Sequence, residues 1–153
     1  MLRPLLLSSA IALALVACGD RTAPESTMPA TESTTAAPAE NALMTASTLP
    51  FQAPPFDRLK DADYQPAIEE GMKQHLAEIR AIVDNPEAPT FENTIEAMER
   101  SGELLTRSAN VFFMLTGANT NETLQAAEEA LAPKLAEHSD AIYLDQALFA
   151  RVK

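Results

Sequence analysis

An all-α fold is predicted for residues 51–153, as an antiparallel helical hairpin followed by further helices. Three observations carry that expectation. The longest periodic stretch, Phe91 to Gly117, repeats small or apolar residues at three- and four-residue steps: Ile95, Met98, Gly102, Leu105, Ala109, Phe112, Thr116. That is one face of a helix. Each such stretch is bounded by residues that start or stop helices. Finally, no apolar/polar alternation, Asn-Gly hairpin or internal repeat is present, and the chain has only 4 glycines.

The elements follow in order. Pro50, Pro54 and Pro55 keep the approach to the first helix extended, and Phe51, Phe56 and Leu59 are expected to dock on the fold. Asp61 or Asp63 is expected to cap the first helix, with Pro66 tolerated in its opening turn. Ile68, Met72, Ile79 and Val83 supply its apolar face, with Leu76 and Ile82 beside it. Asp84-Asn85-Pro86 ends it, and Pro86 to Pro89 makes a rigid turn. Thr90 is the expected N-cap of the long helix, with Glu92 in the first turn where the helix dipole favours a carboxylate. A continuous helix from Phe91 to Gly117 would be roughly 40 Å long. A second stripe, Leu104, Ser108, Val111 and Leu115, widens its apolar surface, so its C-terminal end is expected to be the more buried.

Gly117 fits a C-terminal cap and Asn121 the next N-cap. Leu124, Ala127, Leu131, Leu135 and Ile142 continue an inward face. Pro133 lies within that pattern and predicts a kink or break, because proline lacks an N–H and crowds the preceding turn. Asp145 is expected to cap a last helix, Gln146 to Lys153, bearing Leu148, Phe149 and Val152. Barely two turns long, it reads as interrupted by the end of the chain.

The first fifty residues have a different character. Met1–Ala17 carry Arg3 and then the apolar run Leu5–Val16, the anatomy of a secretory signal and too short for a membrane span. The run closes in Leu15-Val16-Ala17-Cys18-Gly19, which resembles the bacterial lipobox. That resemblance implies cleavage before Cys18, lipidation of its thiol, and acylation of the new amino terminus. Several acyl chains hold a protein on a membrane far more firmly than one. The implied location is the periplasmic side of a bacterial membrane, and Gly19 in place of aspartate points to the outer membrane. Residues 18–50, rich in Thr, Ala, Ser and Pro and lacking aromatics, cannot bury enough apolar surface to order themselves and read as a disordered tether. Such a coil would span on the order of 30 Å.

The net charge is −11, most of it on residues 51–153. That balance argues against nucleic acid as a partner. Cys18 is the sole cysteine, which excludes an intramolecular disulfide and a multi-cysteine metal site.

The helical region offers no self-sufficient chemistry. His75 and His138 are the only histidines; neither forms an H-E-x-x-H pair, and both are expected to be satisfied structural or surface residues. Glu69-Glu70, Glu96-Glu99 and Glu128-Glu129 are carboxylate pairs of the kind helix surfaces produce routinely. Acid–base catalysis needs environments that split such a pair's pKa values. Ser101, Ser108 and Ser139 lack a nucleophile-elbow context, and Phe112-Phe113-Met114 reads as core. No catalytic residue and no metal ligand is assigned in this chain.

The wording of the helices nevertheless resembles a known family. Phe91-Glu92-Asn93-Thr94-Ile95-Glu96-Ala97-Met98-Glu99 is similar to the F-E-N-T-[IL]-x-x-[LM]-E segment near the amino terminus of the thimet-oligopeptidase family, whose bacterial members include oligopeptidases and peptidyl-dipeptidases. The similarity continues through Ala118-Asn119-Thr120-Asn121, Leu131-Ala132-Pro133-Lys134-Leu135, Ser139-Asp140-Ala141-Ile142-Tyr143-Leu144 and Leu148-Phe149-Ala150-Arg151-Val152. The resemblance covers about two-thirds of the chain. It implies zinc metallopeptidases with a mainly helical, two-lobed shell around a deep channel, in which zinc bound by an H-E-x-x-H helix activates water for hydrolysis of short peptides. Residues 51–153 would be an incomplete amino-terminal part of that shell. None of the family's zinc ligands or catalytic residues has a counterpart here, so the chain alone is expected to lack activity. The resemblance leaves open endopeptidase action or release of C-terminal dipeptides. A reading from another class is a stand-alone helical periplasmic lipoprotein that binds a partner.

Overall fold

Helix α1, Asp61–Val83, is the spine against which the others are laid in a computed structural model that describes residues 40–153. The expected signal sequence, Cys18 and most of the expected tether lie outside the described residues. After α1 come a π-helical turn at Phe91–Glu96 that runs directly into α2, Ala97–Arg100, then α3, Glu103–Ala118, α4, Glu122–Tyr143, and α5, Gln146–Val152. The described residues contain no strand, so the all-α expectation holds.

The helix ends follow from local chemistry. Thr90 Oγ1 accepts the Asn93 N–H at 3.1 Å while Asn93 Oδ1 accepts the Thr90 N–H at 2.9 Å, a reciprocal capping box. Asn121 Oδ1 caps α4 by accepting from Leu124 N at 3.0 Å. Asp145 Oδ1 caps α5, accepting from Ala147 N and Leu148 N at 2.8 and 2.9 Å. At α1 the N-cap is Lys60, not an aspartate; Asp63 sits one turn in and reaches back to accept the Lys60 N–H at 2.8 Å.

The single long helix expected at Phe91–Gly117 is instead two, broken at Ser101–Gly102. Gly102 stands at φ 73°, the left-handed region that glycine enters without steric penalty. Its N–H donates to Glu78 Oε2 at 2.7 Å, a bond across to α1 that a continuous helix would not make. The break re-phases the faces. In α3 the buried residues are Leu104, Ser108, Val111 and Phe112, which is three of the four in the second stripe plus one residue of the first, while Leu115 is half-buried and Ile95 is exposed. The last turn of α3 is open rather than deeply buried: Phe113, Met114 and Gly117 are exposed. Gly117 lies inside the helix, and the C-cap is Asn119.

Pro133 does not break the helix, and α4 runs through it. Pro133 and the residue four before it, Glu129, are both exposed, so water can take the carbonyl left without a donor. Pro66 in α1 and Ala62 repeat that arrangement.

The core forms in two clusters along α1. The first gathers Tyr64, Ala67, Ile68 and Met72 of α1, Val111 and Phe112 of α3, and Leu124, Ala127 and Leu131 of α4. Tyr64 and Phe112 meet with ring centroids 5.8 Å apart. Burying a side chain such as Phe112 contributes about 1.5–3 kcal/mol. The second joins Ile79 and Ile82 of α1 to Ile142 of α4 and Leu148 of α5. α3 runs antiparallel to α1, as expected of a helical hairpin, and the two backbones come close at Gly71, where a Cβ would stand 2.7 Å from Leu105 Cα and N. α4 runs parallel to α1. Asn121 Nδ2 bonds Asp61 at 2.8 Å near one end, and His75 meets His138 at 3.0 Å farther along.

Residues before 51 also belong to this packing. Leu43 is buried in the first cluster, Asn41 Nδ2 donates to the Asp63 carbonyl at 2.7 Å, and Arg107 donates to the carbonyls of Leu43 and Met44 at 3.2 and 3.3 Å. The boundary expected at residue 51 therefore falls inside the packed region. Of the three residues expected to dock ahead of α1, only Leu59 does so; Phe51 and Phe56 are exposed. Leu43, with an apolar side chain in a stretch otherwise read as tether, takes their place.

Candidate functional site

The feature richest in chemistry among the described residues is a pair that the sequence left apart. His75 on α1 and His138 on α4 face each other with Nδ1 of the first 3.0 Å from Nε2 of the second and ring centroids 5.0 Å apart. Each histidine precedes an inward isoleucine by one turn, His75 before Ile79 and His138 before Ile142. Because α1 and α4 are parallel, those two H-x-x-x-I stretches come into register. That repeated spacing was the available signal, and it has meaning only once the helices are paired.

His138 is buried and His75 half-buried. A groove of about 420 Å³ opens beside them, walled by Ile95, Met98, Ile142, Tyr143 and Val152, with Glu99 and Ser139 also on its lining. The ring of His75 packs directly against the α2–α3 junction, where a Cβ on Gly102 would stand 2.9 Å from His75 Cγ. Burial pushes both imidazoles below the ordinary histidine range; Glu78 partly counters this at His75, while His75 pushes His138 further down.

The other sequence candidates are held in separate places. Glu69 accepts from Lys134 at 2.5 Å and Gln65 at 3.0 Å; Glu70 accepts from Lys73 and Gln74. These bonds hold both carboxyls below the usual carboxylate range, so the pair moves together and is not split into an acid and a base. Glu96 pairs with Arg100 at 2.7 Å. Ser101 Oγ donates to the Met98 carbonyl at 2.6 Å, and Ser108 Oγ is buried in the core without a hydrogen-bond partner. Phe112 is core as expected, but Phe113 and Met114 face outward. Cys18 lies outside the described residues. Among the described residues no three His, Cys, Asp or Glu side chains are grouped to hold a metal ion, so a zinc site of the kind the family resemblance implies does not fit them.

No family model matches the chain. It is 54% identical over 112 residues to the dipeptidyl carboxypeptidase of Salmonella typhimurium strain LT2, and 52% identical over 112 residues to that of Escherichia coli strain K12. Each match takes in 73% of this chain and 16% of the relative. Over that stretch the chain is a homologue of proteins named dipeptidyl carboxypeptidase, of whose length it spans about one sixth.

Proposed function

We propose that this chain is the amino-terminal portion of a lipid-anchored zinc metallopeptidase that hydrolyses short peptides and releases dipeptides from their carboxyl ends. The observation that carries this reading is the identity of 54% and 52% over 112 residues to two dipeptidyl carboxypeptidases. In it the helices described above are a piece of scaffold. Zinc and the groups that act with it belong to other parts of the enzyme, and no hydrolytic step is assigned to the residues of this chain. The anchor is Cys18, on the periplasmic side of a bacterial membrane.

The exposed apolar side chains fit this role. Phe91, Phe149 and Tyr143 are 67%, 66% and 84% exposed, and Phe113 and Met114 lie open on α3. Such exposed apolar side chains are available for packing by other protein where they adjoin one another.

The test compares the 153-residue chain with the product of the gene read onward from the Lys153 codon. The extended product is expected to contain an H-E-x-x-H helix, to hold one zinc per molecule and to release C-terminal dipeptides from a short peptide, while the 153-residue chain does neither. Stoichiometric tight zinc on the 153-residue chain would overturn this division. A stop codon after Lys153, with a monomeric and cooperatively unfolding product, would favour the stand-alone lipoprotein. Radiolabelled fatty acid should enter the wild-type chain and not Cys18→Ala; equal labelling would remove the anchor from the proposal.

A further inference from the structure

The paired imidazoles carry a consequence for acid sensitivity that follows from where hydrogens can be placed. His138 Nδ1 is buried and has no hydrogen-bond partner, while His138 Nε2 is 3.0 Å from His75 Nδ1. A bare ring nitrogen left unpartnered costs less than an N–H left unpartnered, since orphaned buried donors are the rarer and more expensive case. The favoured arrangement is therefore His138 Nε2–H donating to His75 Nδ1, with both rings neutral and the second nitrogen of His75 free to carry its own hydrogen.

No protonated arrangement avoids the penalty. If His75 takes a proton, its Nδ1–H points at His138 Nε2, which must become the acceptor; the His138 hydrogen then moves to the buried, partnerless Nδ1. If His138 takes the proton, both of its nitrogens carry hydrogens and Nδ1 is again orphaned, now on a buried cation. Protonating both sets two N–H groups and two charges against each other across 3.0 Å. The surroundings offer limited compensation. On α1, Glu78 lies near His75, but its carboxylate already accepts the Gly102 N–H. From α2 comes Glu99, exposed on the groove lining; α3 contributes Leu105 to that lining, α4 Ser139 and Tyr143, and α5 Val152.

We propose that His75 and His138 form an acid-released clasp between α1 and α4. At neutral pH it holds closed the second core cluster and the Gly102 junction. The location sets what it governs. Ile79 and Ile142, one turn beyond each histidine, belong to the second cluster with Leu148 of α5, and the His75 ring supports Gly102. Acidification opens the end of the bundle made by the second half of α4, by α5 and by the α2–α3 junction. The first cluster, around Tyr64 and Phe112, stays formed.

The chain contains only two histidines, so nitrogen-15 labelling of histidine in the 153-residue protein gives two resolvable rings. Long-range proton–nitrogen spectra at neutral pH are expected to show His138 as the Nε2–H tautomer. On titration both rings should protonate below the ordinary histidine value of about 6.5, in two separate steps. Hydrogen-exchange protection factors, corrected for intrinsic rates, should fall at least tenfold between about pH 7 and pH 5 in α5, the end of α4 and Gly102. Those around Ile68 and Leu124 should change little. His75→Gln and His138→Gln should each remove most of that local loss. His138 as the Nδ1–H tautomer, both rings titrating together near 6.5, or undiminished acid loosening in the folded glutamine variants would each overturn the clasp. The wild-type spectra decide the matter even where a variant fails to fold.

Discussion

Two of the glycines make opposite demands on the same helical segment. Gly102 holds a positive φ, donates to Glu78 and leaves no room for a Cβ against His75. Gly102→Ala should therefore destabilise the chain by about 1–3 kcal/mol, read as a lower denaturant midpoint at unchanged slope. Gly117 sits in α3 with nothing within 4 Å of where its Cβ would stand. Gly117→Ala should raise stability by about 0.5–1 kcal/mol, because alanine loses less backbone entropy on entering a helix. Equal effects at the two positions would mean that Gly102 is not a true break. The aromatic neighbours on α3 differ in the same way. Phe112 is fully buried, so Phe112→Ala should cost about 3–5 kcal/mol. Phe113 is 43% exposed, and Phe113→Asp should shift the stability of this chain by about 0.5 kcal/mol or less. In the longer enzyme proposed above, the same aspartate should cost several times more, if Phe113 there meets further helices.

At the scale of elements, the helix starts are set by single side chains. Asn121→Ala removes the bond to Leu124 N and also the contact with Asp61, and should lower stability by about 1 kcal/mol. Asp145→Ala should act locally. α5 is short and depends on Asp145 at its start and on Arg151, which donates to the carbonyls of Asn85 and Glu87 and to Asn93 Oδ1. Loss of the cap should abolish exchange protection in Gln146–Val152 while α1 and α3 keep theirs. Protection retained in α5 would show that Arg151 and Leu148 suffice. The prolines carry a further lesson at this scale. Pro133 looks like a breaker in the sequence, yet it sits on the exposed side of its helix, as Pro66 does in α1, where solvent can satisfy the freed carbonyl.

For the whole molecule, pH is the most informative variable. Both imidazoles have folded-state pKa values depressed below the unfolded value, so the unfolded chain binds more protons wherever the pH lies between the two. Their contribution to stability is complete above about pH 6.5. It is lost as pH falls below that value, and it levels off once the folded histidines also protonate. Urea midpoints measured from about pH 8 downward should therefore decline through that window. His75→Gln should flatten the decline, and a flat wild-type profile would contradict the depressed values. Carboxylates held low by hydrogen bonds, such as Glu69, add their own loss only in more acidic solution.

How much was readable beforehand differs from feature to feature for physical reasons. Capping is short-range, so Thr90, Asn121 and Asp145 announced their helices, and most of the apolar faces of α1 and α4 followed from period alone, although Leu76, expected beside the face of α1, is exposed. The break at Gly102 was hidden, because a glycine inside a regular apolar period fits a continuous helix equally well. Only the close approach of His75 and the bond to Glu78 select the left-handed turn. Docking of Leu43 was hidden too, since two adjacent apolar residues, Leu43 and Met44, in a stretch rich in Thr, Ala, Ser and Pro carry no period. By itself the sequence determined that residues 51–153 are mainly helical, where most helices start, and, through the Phe91–Glu99 wording, a resemblance to a peptidase family. What tertiary structure alone decided is which residues far apart in the chain meet. His75 and His138 are unremarkable on their own helices, and become a coupled pair only because α1 and α4 lie parallel and in register.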